Sequence, residues 1–173
     1  MAINRDDFEA IVVRHEAMLY RIAFNFFLSR AIAEEVVQDV FLRCFQNLNR
    51  IESPDHLKAW LRRTATHRSL DIVRSGKAQR ELQLDDLPEV PDSVSESDPF
   101  LSARLHRLVA SLPEEQRIIV ILRYSEDMYP EEIAELLGMS AGTVRSHLHR
   151  ALALLRKKAP RALGEELYGQ IRK

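Results

Sequence analysis

Gly138 is the residue that most restricts how this chain can fold, because it separates two helical segments with no room for a long connection. Before it, PEEIAELL (130–137) opens with a proline and two acids, which suits the N-terminus of a helix. Ile133, Ala134 and Leu137 form the predicted inner face. That helix must stop at Gly138, where a left-handed turn costs glycine little. Met139 and Ser140 complete the turn; Ser140 can cap the next helix, and Met139 can pack on Val144 as a hydrophobic staple.

In the second helix Val144, Leu148, Ala151, Leu152 and Leu155 line one face. At about 100° per residue the opposite face presents Gly142, Thr143, Ser146, His149, Arg150 and Lys157, with Arg145 on the flank. This face is small near its N-terminal end, polar throughout and basic. Small residues permit close approach to a DNA groove, hydroxyl and arginine side chains read base edges, and flanking cations meet phosphates. An αα-hairpin inside a bundle also has two amphipathic helices joined at a glycine. The short turn, the staple and an acid-free second helix ending in Arg-Lys-Lys favour DNA binding over that alternative. His147 and His149, two positions apart, point to different faces and make a poor metal pair, so neither a metal nor another cofactor is expected.

A formal net charge of −1 looks wrong for a DNA-binding chain until it is resolved along the sequence. Residues 141–161 hold six bases and no acid, and residues 54–80 carry a net +5. Between them, residues 81–99 hold seven acids (Glu81, Asp85, Asp86, Glu89, Asp92, Glu96, Asp98) and no base. That stretch also holds three prolines and no helical period, so it reads as an irregular linker. The expected organisation is therefore an all-α chain of two small helical domains joined by an acidic linker, the C-terminal domain carrying the helix-turn-helix. Its predicted boundaries are 1–80, 81–98 for the linker, 99–160, and a tail at 161–173.

Scarce glycine and the dominance of Ala, Leu, Glu and Arg favour helices over sheet. In the first domain, Asn4 can cap a helix with Asp6 and Asp7 in its first turn, along which Phe8, Ile11, Val12, Leu19, Ile22, Ala23 and Phe26 recur. After a break at 28–30, a second helix aligns Val36, Val37, Val40, Phe41, Phe45 and Leu48. Ser53 and Pro54 give a cap and a first-turn proline for a third, with Leu57, Trp60, Leu61, Ala65 and Leu70 inward, ending near Arg74. Asp98 and Pro99 repeat that signal, and Pro113 precedes EEQRIIVILRY, whose continuous apolar run predicts burial on most sides. The single cysteine, Cys44, excludes an internal disulfide and reads as a small buried hydrophobe. With no apolar run near the ~18 residues that span a bilayer and an acidic N-terminus unlike a signal peptide, a cytoplasmic location is expected.

Four segments in order resemble the extracytoplasmic-function (ECF) sigma factors of bacterial RNA polymerase. YPEEIAELLGMSAGTVRSHLHRALALLRKK is similar to the family's −35 promoter-binding region, and LPEEQRIIVILRYSEDM to the helix before it. AEEVVQDVFLRCFQNLNRI resembles the polymerase-binding helix, and HLKAWLRRTATHRSLDIVR the segment that melts and reads the −10 element. The resemblance implies −35 contacts by Thr143, Arg145, Ser146, His149, Arg150 and Lys157. It implies −10 contacts by Arg62, Arg63, His67, Arg68, Asp71 and Arg74, with a base-receiving pocket near 49–56. It also implies that Glu34, Glu35, Gln38 and Asp39 meet the β′ clamp helices of RNA polymerase core, and that an anti-sigma factor restrains the chain. Where relatives often read Ala-Arg-Asn, this chain has Ala65-Thr66-His67, a departure on a helix expected to face DNA. Pro130 likewise replaces the usual capping serine.

On this reading the chain is a sigma factor: it binds core polymerase, directs promoter-specific initiation and helps open the duplex. The linker acids would then mimic phosphates inside the polymerase cleft. The alternatives are a one-component transcriptional regulator with a C-terminal helix-turn-helix, or a helical interaction module without DNA binding. With no glycine-rich phosphate loop, metal cluster or nucleophile–base pair, no catalytic residue is expected and an enzyme is the least favoured class.

Overall fold

The computed structural model describes residues 8–76 and 99–163, with side chains assigned for 8–76 and 103–160. These residues form seven α-helices: α1 (Phe8–Phe27), α2 (Arg30–Asn47), α3 (Pro54–Arg74), α4 (Pro99–Ala110), α5 (Glu114–Tyr124), α6 (Pro130–Leu137) and α7 (Ala141–Leu163). A single 3-10 turn, Leu48–Arg50, follows α2, and the described residues contain no strand. The expected Asn4 and Asp98 caps, the acidic linker and residues 164–173 lie outside the described residues.

The helix boundaries follow from local chemistry. Helix α1 ends at Leu28, which takes a left-handed φ of 55° and directs its N–H to the Phe24 carbonyl at 2.7 Å. That conformation costs a non-glycine residue about 1–2 kcal/mol. It is offset by Ser29, which caps α2 by accepting the Ile32 N–H at 3.4 Å. Ser53 caps α3 by accepting the His56 N–H at 3.1 Å, and Pro54 stands in its first turn, as predicted.

Burial explains why these helices persist. Leu19, Ile22 and Phe26 of α1, Ile32 and Val36 of α2, and Leu61 and Ile72 of α3 are almost completely withdrawn from solvent. Each such side chain stabilises the fold by about 1.5–3 kcal/mol relative to exposure. Phe45, expected on the inner face of α2, is partly exposed at its rim, where its ring meets Phe8 edge-on at 5.2 Å. Cys44 is fully buried, and burial pushes its thiol up to about 11, so it stays protonated and packs as a hydrophobe.

Helix α5 joins the two halves. Its run Ile118–Leu122 is buried along its whole length, as its continuous hydrophobicity predicted. One face continues the core of α1–α3, while Val120 packs with Leu112 and Ala151 of the C-terminal half. Arg117 straps the halves together by donating to the carbonyls of Phe26 and Leu112, both at 3.0 Å, with its guanidinium 5.1 Å from the centre of the Phe26 ring. Two helical units, α1–α3 and α4–α7, therefore share one continuous apolar core.

Candidate nucleic-acid interface

The turn between α6 and α7 takes the form its sequence requires. Gly138 has φ 68°, and the Met139 N–H bonds the Ala134 carbonyl at 3.0 Å. The N-terminus of α6 is held by the Glu132 carboxylate, which accepts the Tyr129 N–H at 2.6 Å. Pro130 thus leaves the start of the helix capped from within. Ser140 caps α7 by accepting the Thr143 N–H at 3.0 Å, and the two hydroxyls lie 2.9 Å apart. Val144 and Ala151 are buried, and Met139 and Leu148 pack beside them. Within α6, Leu136 is buried alongside Ile133 and Ala134, while Leu137 is half-buried.

This packing directs the expected reading face outward. Gly142, Thr143, Arg145, Ser146, His149, Arg150 and Lys157 are all exposed. His147 instead turns inward, with its Nε2 3.8 Å from Glu115, so the two histidines do face different sides. Arg145 pairs with Glu131 of α6 at 2.6 Å. The backbone N–H at the helix N-terminus, and then Arg145, hold the Glu131 carboxyl below the usual carboxylate range. Lys158 donates to the Ser111 carbonyl at 3.0 Å and fixes α7 against the end of α4. Pro160 lies inside α7, which continues to Leu163 and so crosses the boundary expected at residue 160.

On the other half, the residues expected at the −10 element divide into three groups. Arg62, Arg63 and His67 face the C-terminal unit. Arg62 lies 3.4 Å from the Glu126 carboxylate, Arg63 donates to the Glu135 carbonyl at 2.6 Å, and the His67 Nε2 lies 3.2 Å from the Leu136 carbonyl. Arg68 faces α2 instead, 3.3 Å from Glu35 and 2.7 Å from Asp39. Two of the acids expected to meet polymerase are therefore paired with a residue expected to meet DNA, whereas Glu34 and Gln38 are exposed. Asp71 and Arg74 are exposed near the end of α3.

Thr66 belongs to the Ala65-Thr66-His67 departure on α3. It is completely buried, so the difference from relatives at this position changes the core rather than a DNA-facing surface. Its neighbour His67 does project from α3. The 49–56 segment contributes Asp55 and His56 to a groove of about 440 Å³ between α3 and α6, which Trp60, Arg63 and Met128 also line. Trp60 is half-buried: its ring packs against the core and reaches this groove.

Sequence reasoning missed Glu126, whose side chain is only 1% exposed. Arg21 of α1 reaches it at 2.7 Å and Arg62 of α3 at 3.4 Å. These partners lie 105 and 64 residues away, so no local pattern marks Glu126.

A helical N-terminal unit with a basic third helix, followed by a unit ending in an outward-facing helix-turn-helix, defines a bacterial transcription initiation factor of the sigma-70 type. Residues 11–79 match the family Sigma-70 region 2, and residues 102–155 match Sigma-70, region 4. The RNA polymerase sigma-E factor of Streptomyces coelicolor is 34% identical over 152 residues, spanning 88% of this chain and 85% of the relative. The RNA polymerase sigma factor SigV of Bacillus subtilis is 28% identical over 145 residues, spanning 84% of this chain and 86% of the relative. The solved structure of CnrH in complex with the cytosolic domain of CnrY superposes with a TM-score of 0.66 at 26% identity, covering 91% of this chain and 90% of that one. The sigma factor RpoE of Bartonella quintana, crystallised with the anti-sigma factor NepR, shares the fold with a TM-score of 0.70 at 21% identity, covering 87% and 95%. The chain belongs to the ECF group of sigma factors, which bind core RNA polymerase and direct it to promoters.

Proposed function

We propose that α7 reads the −35 element through Thr143, Arg145, Ser146, His149 and Arg150, with Lys157 on phosphate, and that α3 meets the opened −10 strand. The observation that carries this reading is the outward, acid-free face of α7, set by the burial of Val144 and Ala151. On α3, Arg62, Arg63, His67, Arg68, Asp71 and Arg74 supply the −10 surface, and cations beside Trp60 suit an unpaired strand. Glu34 and Gln38, with Glu35 and Asp39 behind them, form the surface for the β′ clamp helices.

The chain divides functionally at 1–80, 81–98, 99–160 and 161–173. It works in the cytoplasm and catalyses nothing itself. The similarity to sigma factors solved with an anti-sigma partner supports regulation by such a protein. The test is transcription in vitro with purified core polymerase over a genomic DNA library. The chain alone should confer promoter-specific initiation. A requirement for a second sigma factor would instead identify a one-component regulator.

A further inference from the structure

An ion pair ties the two helices of the helix-turn-helix together on their solvent side. Arg145 of α7 lies 2.6 Å from the carboxylate of Glu131 of α6, and both side chains are more than half exposed. The neighbouring acid, Glu132, is used elsewhere: it caps α6 by accepting the Tyr129 N–H. The backbones on both sides of the pair are anchored, because Ile133 and Val144 are withdrawn from solvent in one core. Gly138 and the Ser140 cap fix the turn between them. Glu131 therefore meets Arg145 from a set position and brings a carboxylate beside a reading face that has no acid of its own.

Stability does not account for this pair, since exposed ion pairs contribute little to a fold. A carboxylate beside a DNA-reading face also repels phosphate. Its effect on the shared arginine differs between two modes of binding. A guanidinium carries five N–H donors in a rigid fork. Glu131 accepts from Nη1, which leaves the Nη2 and Nε donors for another partner. In a base-reading complex those donors reach guanine O6 and N7 while the carboxylate stays neutralised. In a non-specific complex the arginine turns to phosphate, which strips Glu131 of its partner beside a polyanion.

We infer that Glu131 is a positioning residue for promoter selectivity: its carboxylate orients Arg145 toward a guanine edge and penalises phosphate binding by the same arginine. The inference rests on the proposed reading of the −35 element by α7. Specificity is a difference between two affinities, so a group that weakens the unwanted complex raises selectivity without adding a base contact. The backbone N–H at the start of α6, and then Arg145, keep the Glu131 carboxyl ionised at neutral pH. The penalty is therefore present whenever the chain meets DNA.

The experiment compares the full chain with Glu131→Gln, Arg145→Ala and the double variant, all at side chains more than half exposed on the folded protein. Fluorescence anisotropy of a labelled mixed-sequence duplex at several salt concentrations measures non-specific binding. Holoenzyme assembled on core polymerase selects from a duplex library randomised across the −35 element, and sequencing the bound fraction gives the preference at each position. Arg145→Ala should abolish the preference for guanine at one position. Glu131→Gln should reduce that same preference about ten-fold and leave the other positions unaltered. It should also bind the mixed-sequence duplex about three-fold more tightly, with a salt slope steeper by up to about 0.9. Adding Arg145→Ala should remove that gain. A loss of preference spread equally over all positions, or no loss at all, for Glu131→Gln would overturn the inference. So would a gain in non-specific affinity that survives the loss of Arg145. If Arg145→Ala itself leaves every position unaltered, the base-reading role of Arg145 fails and takes the inference with it.

Discussion

The Arg68 guanidinium lies 2.7 Å from the Asp39 carboxylate, joining the basic face of α3 to the acidic face of α2. Glu35 and Arg43 extend this cluster at 3.3 Å each. All four groups are partly open to solvent, so the pair should contribute modestly to stability while fixing the relative rotation of the two helices. A double-mutant cycle of Arg68→Ala and Asp39→Ala, followed by urea unfolding, should give a coupling of about 0.5–1 kcal/mol. Additive single effects would show that the cluster does not act as a unit.

Two glycines in the helix-turn-helix should respond differently to alanine. Gly138 has φ 68°, so Gly138→Ala should cost about 1–2 kcal/mol even though nothing crowds the added methyl. At Gly142 the added methyl meets only the Ser140 hydroxyl at 3.6 Å, and helix propensity should raise stability by up to about 1 kcal/mol. If this end of α7 approaches a DNA groove closely, Gly142→Ala should weaken promoter binding despite the more stable fold. Thermal melting and DNA anisotropy on the same samples separate the two effects, and full retention of binding would count against close approach.

Cations on α7 should divide by role. Arg150→Ala should cost about 1–3 kcal/mol at the preferred promoter and less at mutated ones, as loss of a base contact does. Lys157→Ala should weaken all sequences alike and lower the slope of log affinity against log salt by about 0.9. Anisotropy titrations over a promoter-mutant series at several salt concentrations test both. Uniform losses for Arg150→Ala would remove it from base reading.

His15 should make stability depend on pH. It is 8% exposed, and burial, followed by the charges of Arg14, Lys58 and Arg62, lowers its affinity for a proton below the ordinary 6.5. The unfolded chain therefore takes up this proton near pH 6.5 while the folded chain resists it. The contribution of neutral His15 is complete above pH 6.5 and is lost as pH falls below it. Urea unfolding at pH 7.5 and 5.5 should show the decline, and His15→Gln should flatten it. Equal pH dependence in the two proteins would exclude His15 as the source.

Much of the local architecture was legible because its causes are local. Ser53-Pro54 announced α3, Gly138 announced the turn, and the spacing of Val144, Leu148 and Ala151 announced which face of α7 would be exposed. Periodicity was less informative for short side chains at intermediate positions. Thr66, a departure on a helix expected to face DNA, is buried because α3 is covered on more than one side, by α1 and α2 and by α5 and α6. The resemblance assigned Arg68 to DNA and Asp39 to polymerase, and it contained no information that the two side chains would meet.

The sequence by itself determined the helical segments, the Ser53 and Ser140 caps and the polar face of the helix-turn-helix, since these depend on hydrogen bonds and side-chain periods within a few residues. Only the tertiary structure decided how the two helical units meet. That arrangement depends on the continuous core around α5 and on charges brought together from distant positions, Arg21 and Arg62 with Glu126 above all. A carboxylate in a loop has no sequence signature until its partners arrive from other helices. Its burial and pairing are properties of the assembled fold.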